Sequence, residues 1–322
     1  MTHSIGLDIG HSAVKVAAGE NLIFPTAATP AVELSVDSSN SSAKDDTARV
    51  GSTSYFVGET AVIHTNGRVL DGLSDDWIHS DEHAALLVAG YQKALRVMGT
   101  DKSSVVLGLP SRLHGSQKER LREIAAANLM IGKDKIYVIP QPLAAFFTRT
   151  LSKDGAPTDA AAEKERWLVI DVGYYTTDFG MLTNSIWSSA GQESIAGTSV
   201  AAANLKRLIA GKHAVDLTIR ACEEILRTKS VRLRGERIDM AALVEEAVKP
   251  VAKGIIDSAI QVFGAGSVDT ADGIFIAGGG ATLLFDALKK AWPQAVFAEN
   301  PRFAVAEGMR RFGLAKALLA AE

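Results

Sequence analysis

One short pattern is written twice in this chain, near its start and again at its middle. Ser4-Ile5-Gly6-Leu7-Asp8-Ile9-Gly10 is an apolar run ending in Asp-x-Gly, followed by Val14-Lys15-Val16-Ala17. Trp167-Leu168-Val169-Ile170-Asp171-Val172-Gly173 repeats it, followed by Thr177-Asp178-Phe179-Gly180-Met181-Leu182. Each unit reads as a β-hairpin whose turn carries an acid and a glycine. Further strand and helix signals follow both, so the two halves are expected to be built alike. A third strand-like block, Gly273 to Ala277, runs into Gly278-Gly279-Gly280. Strands grouped with helices, in the same order twice, specify an α/β protein of two related lobes. A ligand is expected between them.

Apolar residues at helical spacing predict a helix over 81–98, where Leu86, Leu87, Tyr91, Leu95 and Met98 share a face. Others are expected over 199–212, 214–228, 239–263 and 303–320. One more is expected over 116–129, opened by the capping-box pattern Ser116-x-x-Glu119. The polar stretches 35–48 and 152–165 have loop composition. The first interrupts strand-like material at Leu22–Pro25 and Tyr55–Val57, marking a small inserted subdomain of about residues 20–80. The second separates the two repeats. The expected division is lobe I from 1–150 plus 301–322, and lobe II from 165–300.

A hydrophobic content of 47% over 322 residues is enough to core two lobes. No apolar run approaches the ~18 residues of a membrane span, and Met1-Thr2-His3-Ser4 lacks the basic start of a secretory signal. A cytoplasmic protein without membrane contact is expected. The net charge of −3 argues against sequence-independent DNA binding, which runs on clustered Lys and Arg. The single Cys222 excludes an intrachain disulfide and a Cys-rich zinc site, and is expected to be packing.

The chemistry-bearing residues cluster at the repeats. In Asp8-Ile9-Gly10-His11-Ser12-Ala13-Val14-Lys15, a glycine at the turn lets backbone N–H groups approach an anion. Lys15 on the returning strand offers a point charge for phosphate, and Asp8 an oxygen ligand for hydrated magnesium. Asp171-Val172-Gly173-Tyr174-Tyr175-Thr176-Thr177-Asp178 offers similar equipment. Either turn alone is equally an ordinary hairpin. Two of them suggest a pair closing on one polyphosphate, with Asp8 and Asp171 converging on one Mg2+. Gly278-Gly279-Gly280, at a strand-to-helix turn, lets a flat ring or phosphates lie against the backbone; a plain structural turn explains it too. In Pro140-Gln141-Pro142-Leu143-Ala144-Ala145, Pro142 marks a helix start and Gln141 is a neutral side chain able to orient water.

In this order, the pieces resemble the superfamily of actin, large heat-shock chaperones and sugar kinases. Asp8–Lys15 looks like its first phosphate motif and Asp171–Asp178 its second. Pro140–Ala145 and Asn300–Gly308 look like its two connecting helices, and Ile276–Leu284 its adenosine motif. Phe24-Pro25-Thr26, Tyr55-Phe56-Val57-Gly58-Glu59-Thr60-Ala61, Leu107-Gly108-Leu109-Pro110 and Asn300-Pro301 are similar to segments of the plasmid-segregating ParM/StbA branch, including its PRTRC-cluster variant. The resemblance implies two RNase H-like, actin-like lobes with ATP or ADP and Mg2+ in a cleft between them. Gly10, His11, Ser12 and Lys15 would then line the phosphates with Gly173, Tyr174, Tyr175 and Thr176. Asp171, with Asp8, would bind the metal through water. Gln141 and Asp178 would hold the lytic water. Glu223, Arg227 and Gly278 to Gly280 would flank adenosine, with Glu224 and Lys229 in the same region, although a solvated helix end explains Glu223, Glu224, Arg227 and Lys229 as well. It further implies a slow Mg-dependent ATPase that forms filaments with copies of itself and moves plasmid DNA through a DNA-binding adaptor, without touching nucleic acid directly.

The sequence departs from the family at three places. His11 stands where relatives carry Ser or Thr, and Tyr174-Tyr175 where Gly or Thr is common. Gln141 replaces the Glu frequent in ParM relatives, and an amide cannot act as a general base. A nucleotide-binding scaffold that does not polymerise, or a small-molecule kinase on the same fold, are the alternatives. A chaperone would need a substrate domain after the last helix. The basic run Arg227, Lys229, Arg232, Arg234 and Arg237 reads as a solvated turn between helices, with an adaptor, nucleotide or filament contact as the functional readings.

Overall fold

A computed structural model describes residues 3–33, 43–65, 74–100, 103–158 and 164–320, and within them all side chains but those of 189 and 190. Parts of the two polar stretches at 35–48 and 152–165 lie outside the described residues. The chain divides into two compact units, Met1–Ala160 with Phe303–Glu322, and Ala161–Arg302.

In the first unit, β1 (His3–Ile9), β2 (Ala13–Ala17) and β3 (Asn21–Pro25) form an antiparallel meander, and β7 (Ser103–Leu109) and β8 (Ile136–Pro140) extend it in parallel. The order is β3-β2-β1-β7-β8. β1 is buried from Ser4 to Asp8 because both faces are covered. Leu7 packs on helix α2 (Asp81–Met98), where Gly90 leaves room for it. Gly6 faces the terminal helix α10 (Ala304–Leu319), and a Cβ there would lie 1.8 Å from the Ala306 carbonyl oxygen. A smaller sheet of β4 (Ala28–Pro30), β6 (Thr53–Val57) and β5 (Thr47–Val50) leads into α1 (Gly58–His64). A 3-10 helix, Asp75–His79, precedes α2.

Helix α3 runs from Ser111 to Leu129, five residues earlier at its start than the capping box predicts. Ser116 lies inside it and donates to the Leu113 carbonyl instead of capping. The start falls at Pro110, the N-cap residue, whose ring fixes φ where the chain turns from β7 into the helix. Helix α4 (Gln141–Thr150) follows β8 directly, with Pro142 in its first turn.

The second unit repeats the plan. Strands β9 (Arg166–Val172), β10 (Thr176–Thr183) and β11 (Ile186–Ala196) are an antiparallel meander, and β14 (Gly273–Ala277) and β15 (Ala295–Phe297) join in parallel, in the order β11-β10-β9-β14-β15. Helices α5 (Ser199–His213), α6 (Ile219–Thr228), α7 (Ala241–Phe263), α8 (Ala265–Thr270) and α9 (Ala281–Ala291) complete it. The same strand order in both units makes them two related RNase H-like lobes. Helix α6 starts at Ile219 rather than 214, because Thr218 caps it by accepting from the Ala221 N–H. The basic run expected in a turn lies instead mainly in a hairpin, β12 (Ser230–Leu233) with β13 (Glu236–Asp239). Cys222 is fully buried in the apolar core of this unit. Among the described residues, no helix is long and apolar enough to cross a membrane.

Candidate functional site: two acid-bearing turns

In the first turn, antiparallel pairing sets Asp8 directly across from Lys15, so both side chains leave the same face. The Lys15 ammonium lies 2.7 Å from Asp8 Oδ2, and the Gln141 amide donates to Asp8 Oδ1 at 3.2 Å. Gln141 reaches this point because β8 ends beside β7 at the same level as β1, and α4 begins there. Asp8 is 3% exposed, and a carboxylate buried this deeply is tolerated because both oxygens are engaged. A Cβ on Gly10 would approach the Ala13 carbonyl oxygen to 3.0 Å and Lys15 Nζ to 3.5 Å. The turn is held from behind by the fully buried Thr26, whose hydroxyl donates to the Gly10 carbonyl at 2.5 Å and whose N–H donates to Ser12 O. Thr26 was visible in the sequence only as the end of Phe24-Pro25-Thr26.

His11 tilts over Trp77 with ring centroids 4.9 Å apart, and Trp77 in turn meets the edge of the buried His83 at 5.0 Å. Burial pushes the His11 imidazole down to about 4, against the opposite pull of Asp8. The substituted position therefore carries a neutral ring at neutral pH, not an added cation. His83 is likewise lowered to about 4 by burial and by the neighbouring His11 and His79.

In the second turn the same seven-residue interval places Asp171 across from Asp178. Where the first hairpin pairs an acid with a base, the second sets two acids side by side. Asp178, 1% exposed, is stabilised by two hydroxyls: Thr176 Oγ1 at 2.7 Å and Ser194 Oγ at 2.5 Å. Ser194 sits opposite it on β11, a role that nothing local in the sequence signalled. The turn's carbonyls are locked by the start of α5. Thr198 N–H donates to Gly173 O, Ser199 N–H to Tyr174 O and Gly197 N–H to Tyr175 O.

The glycine run lies against this turn. Gly278 has φ +93, and a Cβ there would fall 2.3 Å from Val172 O and 2.5 Å from Asp171 Oδ1. The Gly280 N–H donates to Val172 O at 2.9 Å. Tyr174 hydrogen-bonds Glu223, which offsets only part of the upward push of burial on that carboxyl. Glu224 pairs with Arg227 at 2.5 Å. Arg302, absent from the sequence-based set, brings its Cγ to 3.8 Å from a Cβ built on Gly279, and its guanidinium is lowered by burial and by the like charge of Arg227. Asp171, Gly173, Tyr174, Glu223, Arg227 and Gly278 to Gly280 are thus neighbours. Tyr175 is instead 44% exposed. No group of three or more His, Cys, Asp or Glu side chains among the described residues is placed to hold a metal ion.

The duplicated lobe with an acid-bearing first hairpin is the build of actin-like proteins. Residues 6–143 match the model for the N-terminal domain of actin-like proteins, and 169–290 that for the C-terminal domain of archaeal MreB-like actin homologues. The chain is a member of the actin-like superfamily. Among solved structures it is similar to a ParM filament protein from Clostridium botulinum, with a TM-score of 0.74, 20% identity, and coverage of 97% of this chain and 99% of that one. An archaeal actin homologue in complex with ADP gives 0.70 at 20% identity, covering 96% and 98%. MreB 5 of Spiroplasma citri bound to AMPPNP gives 0.71 at 16% identity, covering 100% and 99%. No curated protein matches the sequence.

Proposed function

We propose that this protein is a slow, Mg-dependent ATPase of the ParM/StbA kind, which forms filaments and moves plasmid DNA through a DNA-binding adaptor. The observation that carries the reading is the pair of hairpins with a buried aspartate at the same register, one bearing a lysine opposite and the other a second acid. Lys15, held by Asp8, supplies a fixed positive charge for terminal phosphate oxygens. Backbone N–H groups around Gly10 to Ser12 and Gly173 to Thr176 supply further donors. Gln141 is held by the same carboxylate, so its amide is pre-oriented; it aligns a water without accepting its proton, which favours slow turnover. Asp178, already receiving two hydroxyl bonds, acts as a hydrogen-bond acceptor rather than an acid. Gly278 to Gly280, with Glu223, Arg227 and Arg302 alongside, offer the flat backbone and polar rim that an adenosine needs.

Mg2+, when bound, neutralises phosphate charge. Asp171 would hold it through water, with Asp8 assisting, because no cluster of side chains among the described residues offers direct coordination and both Asp8 oxygens already receive bonds. The nucleotides bound by the archaeal and Spiroplasma homologues and the ParM filament support this reading. Substituting Gln141→Ala should lower the rate of phosphate release on the order of tenfold or more while ATP affinity stays nearly unchanged. Parallel loss of both would remove Gln141 from the water-orienting role. A wild-type protein that binds ATP and never releases phosphate would instead be a nucleotide-binding scaffold.

A further inference from the structure

The hairpin β12–β13 carries three arginines that have no acidic partner among the described residues. Val231, Leu233 and Ile238 pack against the core of the second unit, so the alternate residues Arg232 and Arg237 point the other way, into solvent. The register sets these two directly opposite each other, a like-charge pair that weakens a two-stranded ribbon. Arg232 Nε is spent on the Gly235 carbonyl and Arg237 on the Ser230 hydroxyl. Among the described residues no carboxylate pairs with either, or with Arg234. The connecting turn is Arg234-Gly235, with φ of 52° and 89°. Both central residues of such a turn are left-handed, which suits Asn or Gly and costs Arg about 1 kcal/mol. These local costs fall on one face and tip, with no carboxylate answering them among the described residues, as expected where a surface is kept for an outside partner.

The same chain carries the complementary sign elsewhere. Residues 20–82 contain eleven Asp and Glu against three Lys and Arg, whereas 227–237 contain five bases and one acid. Asp45, Asp46 and Asp75 are answered locally by Arg96, Lys93 and Arg112. Asp76 is exposed and Glu82 half-exposed, and neither has a basic partner among the described residues. An overall charge of −3 opposes binding to a polyanion such as DNA, but not a contact between a basic patch and an acidic one.

We propose that the Arg232, Arg234 and Arg237 face is the basic half of a contact between protomers, and that its acidic half is formed by Asp76 and Glu82 of a second copy. A contact between two different patches leaves one of each unmatched at the ends, so association propagates. This rests on the filament reading above and names the contact that reading requires.

The test is sedimentation with ATP and with a non-hydrolysable analogue, at low and high salt, with ATP affinity measured on the same samples. Wild type should pellet, less so at high salt. R232E/R234E/R237E should raise the critical concentration on the order of tenfold or more with ATP affinity unchanged; D76K/E82K should do the same, and mixing the two variants should restore pelleting. If the glutamate variant loses its fold by circular dichroism, R232Q/R234Q/R237Q takes its place, with a smaller rise expected. Filaments unaffected by the arginine variants would overturn the hairpin contact and leave the filament reading standing. Failure of the mixture to pellet would overturn the choice of the acidic partner. Wild-type protein that stays monomeric with nucleotide would overturn both, as would hairpin arginines that retain a DNA fragment but do not support self-association.

Discussion

Asp8 and Asp171 occupy equivalent strand ends, and what differs is the residue each one faces seven positions later. Lys15 turns the first turn into a neutral pair with a cation to present; Asp178 turns the second into an acidic one that needs Thr176 and Ser194 to satisfy it. Below the first turn, His83 is buried in its neutral form, with burial lowering it to about 4 from 6.5. Between those values the unfolded chain takes up a proton that the folded chain refuses. Stability should therefore be full above pH 6.5 and fall as pH drops toward 4, by on the order of 3 kcal/mol from this residue. His83→Phe, which keeps a ring against Trp77, should flatten the dependence of urea midpoint on pH over that window. An unchanged slope would assign the effect to other groups.

At the scale of elements, close approach of helices decides more than side-chain bulk. Helix α10 crosses α4 so tightly that a Cβ on Gly308 would stand 1.6 Å from the Ala144 carbonyl oxygen. The buried Arg311 of α10 donates to Thr148 O and Leu151 O, closing the end of α4, while Glu307 accepts from Arg310 and Arg311. Burial alone would raise the Glu307 carboxyl, but the two arginines outweigh it and hold it below its ordinary value. Gly308→Ala should destabilise by about 1–3 kcal/mol or more, because backbone cannot step aside. Gly115→Ala, in helix α3 with open space around it, should stabilise by about 0.4–1 kcal/mol. Urea denaturation of the pair distinguishes steric exclusion from helix propensity; equal effects would contradict the packing account.

For the whole molecule, the repeat is the governing fact: two five-stranded sheets of the same order, each opening with an acid-bearing hairpin. A nucleotide that binds only the folded chain stabilises it by about 2.7 kcal/mol at a hundredfold excess over Kd. Thermal unfolding with MgATP should thus shift upward by several degrees, and the shift should shrink in Asp171→Ala, with little further loss when magnesium is chelated from that variant. A full shift in Asp171→Ala would move the metal-holding role elsewhere.

The sequence by itself determined the repeat and most elements, because hydrophobic periodicity and turn glycines act over a few residues and are written locally; the resemblance to the superfamily came from the order of its motifs. It misplaced the start of α3, since Ser116-x-x-Glu119 has the chemistry of a cap but Pro110 reaches the helix first. It missed β12–β13, where alternation over four residues a strand was hidden by arginines. Only the tertiary structure decided that Gln141 meets Asp8, that Ser194 answers Asp178, that Thr26 pins the first turn and that Arg302 lies by Gly279. These partners come together through strand order and helix crossing, and residues joined that way carry no mark of it in their own neighbourhoods.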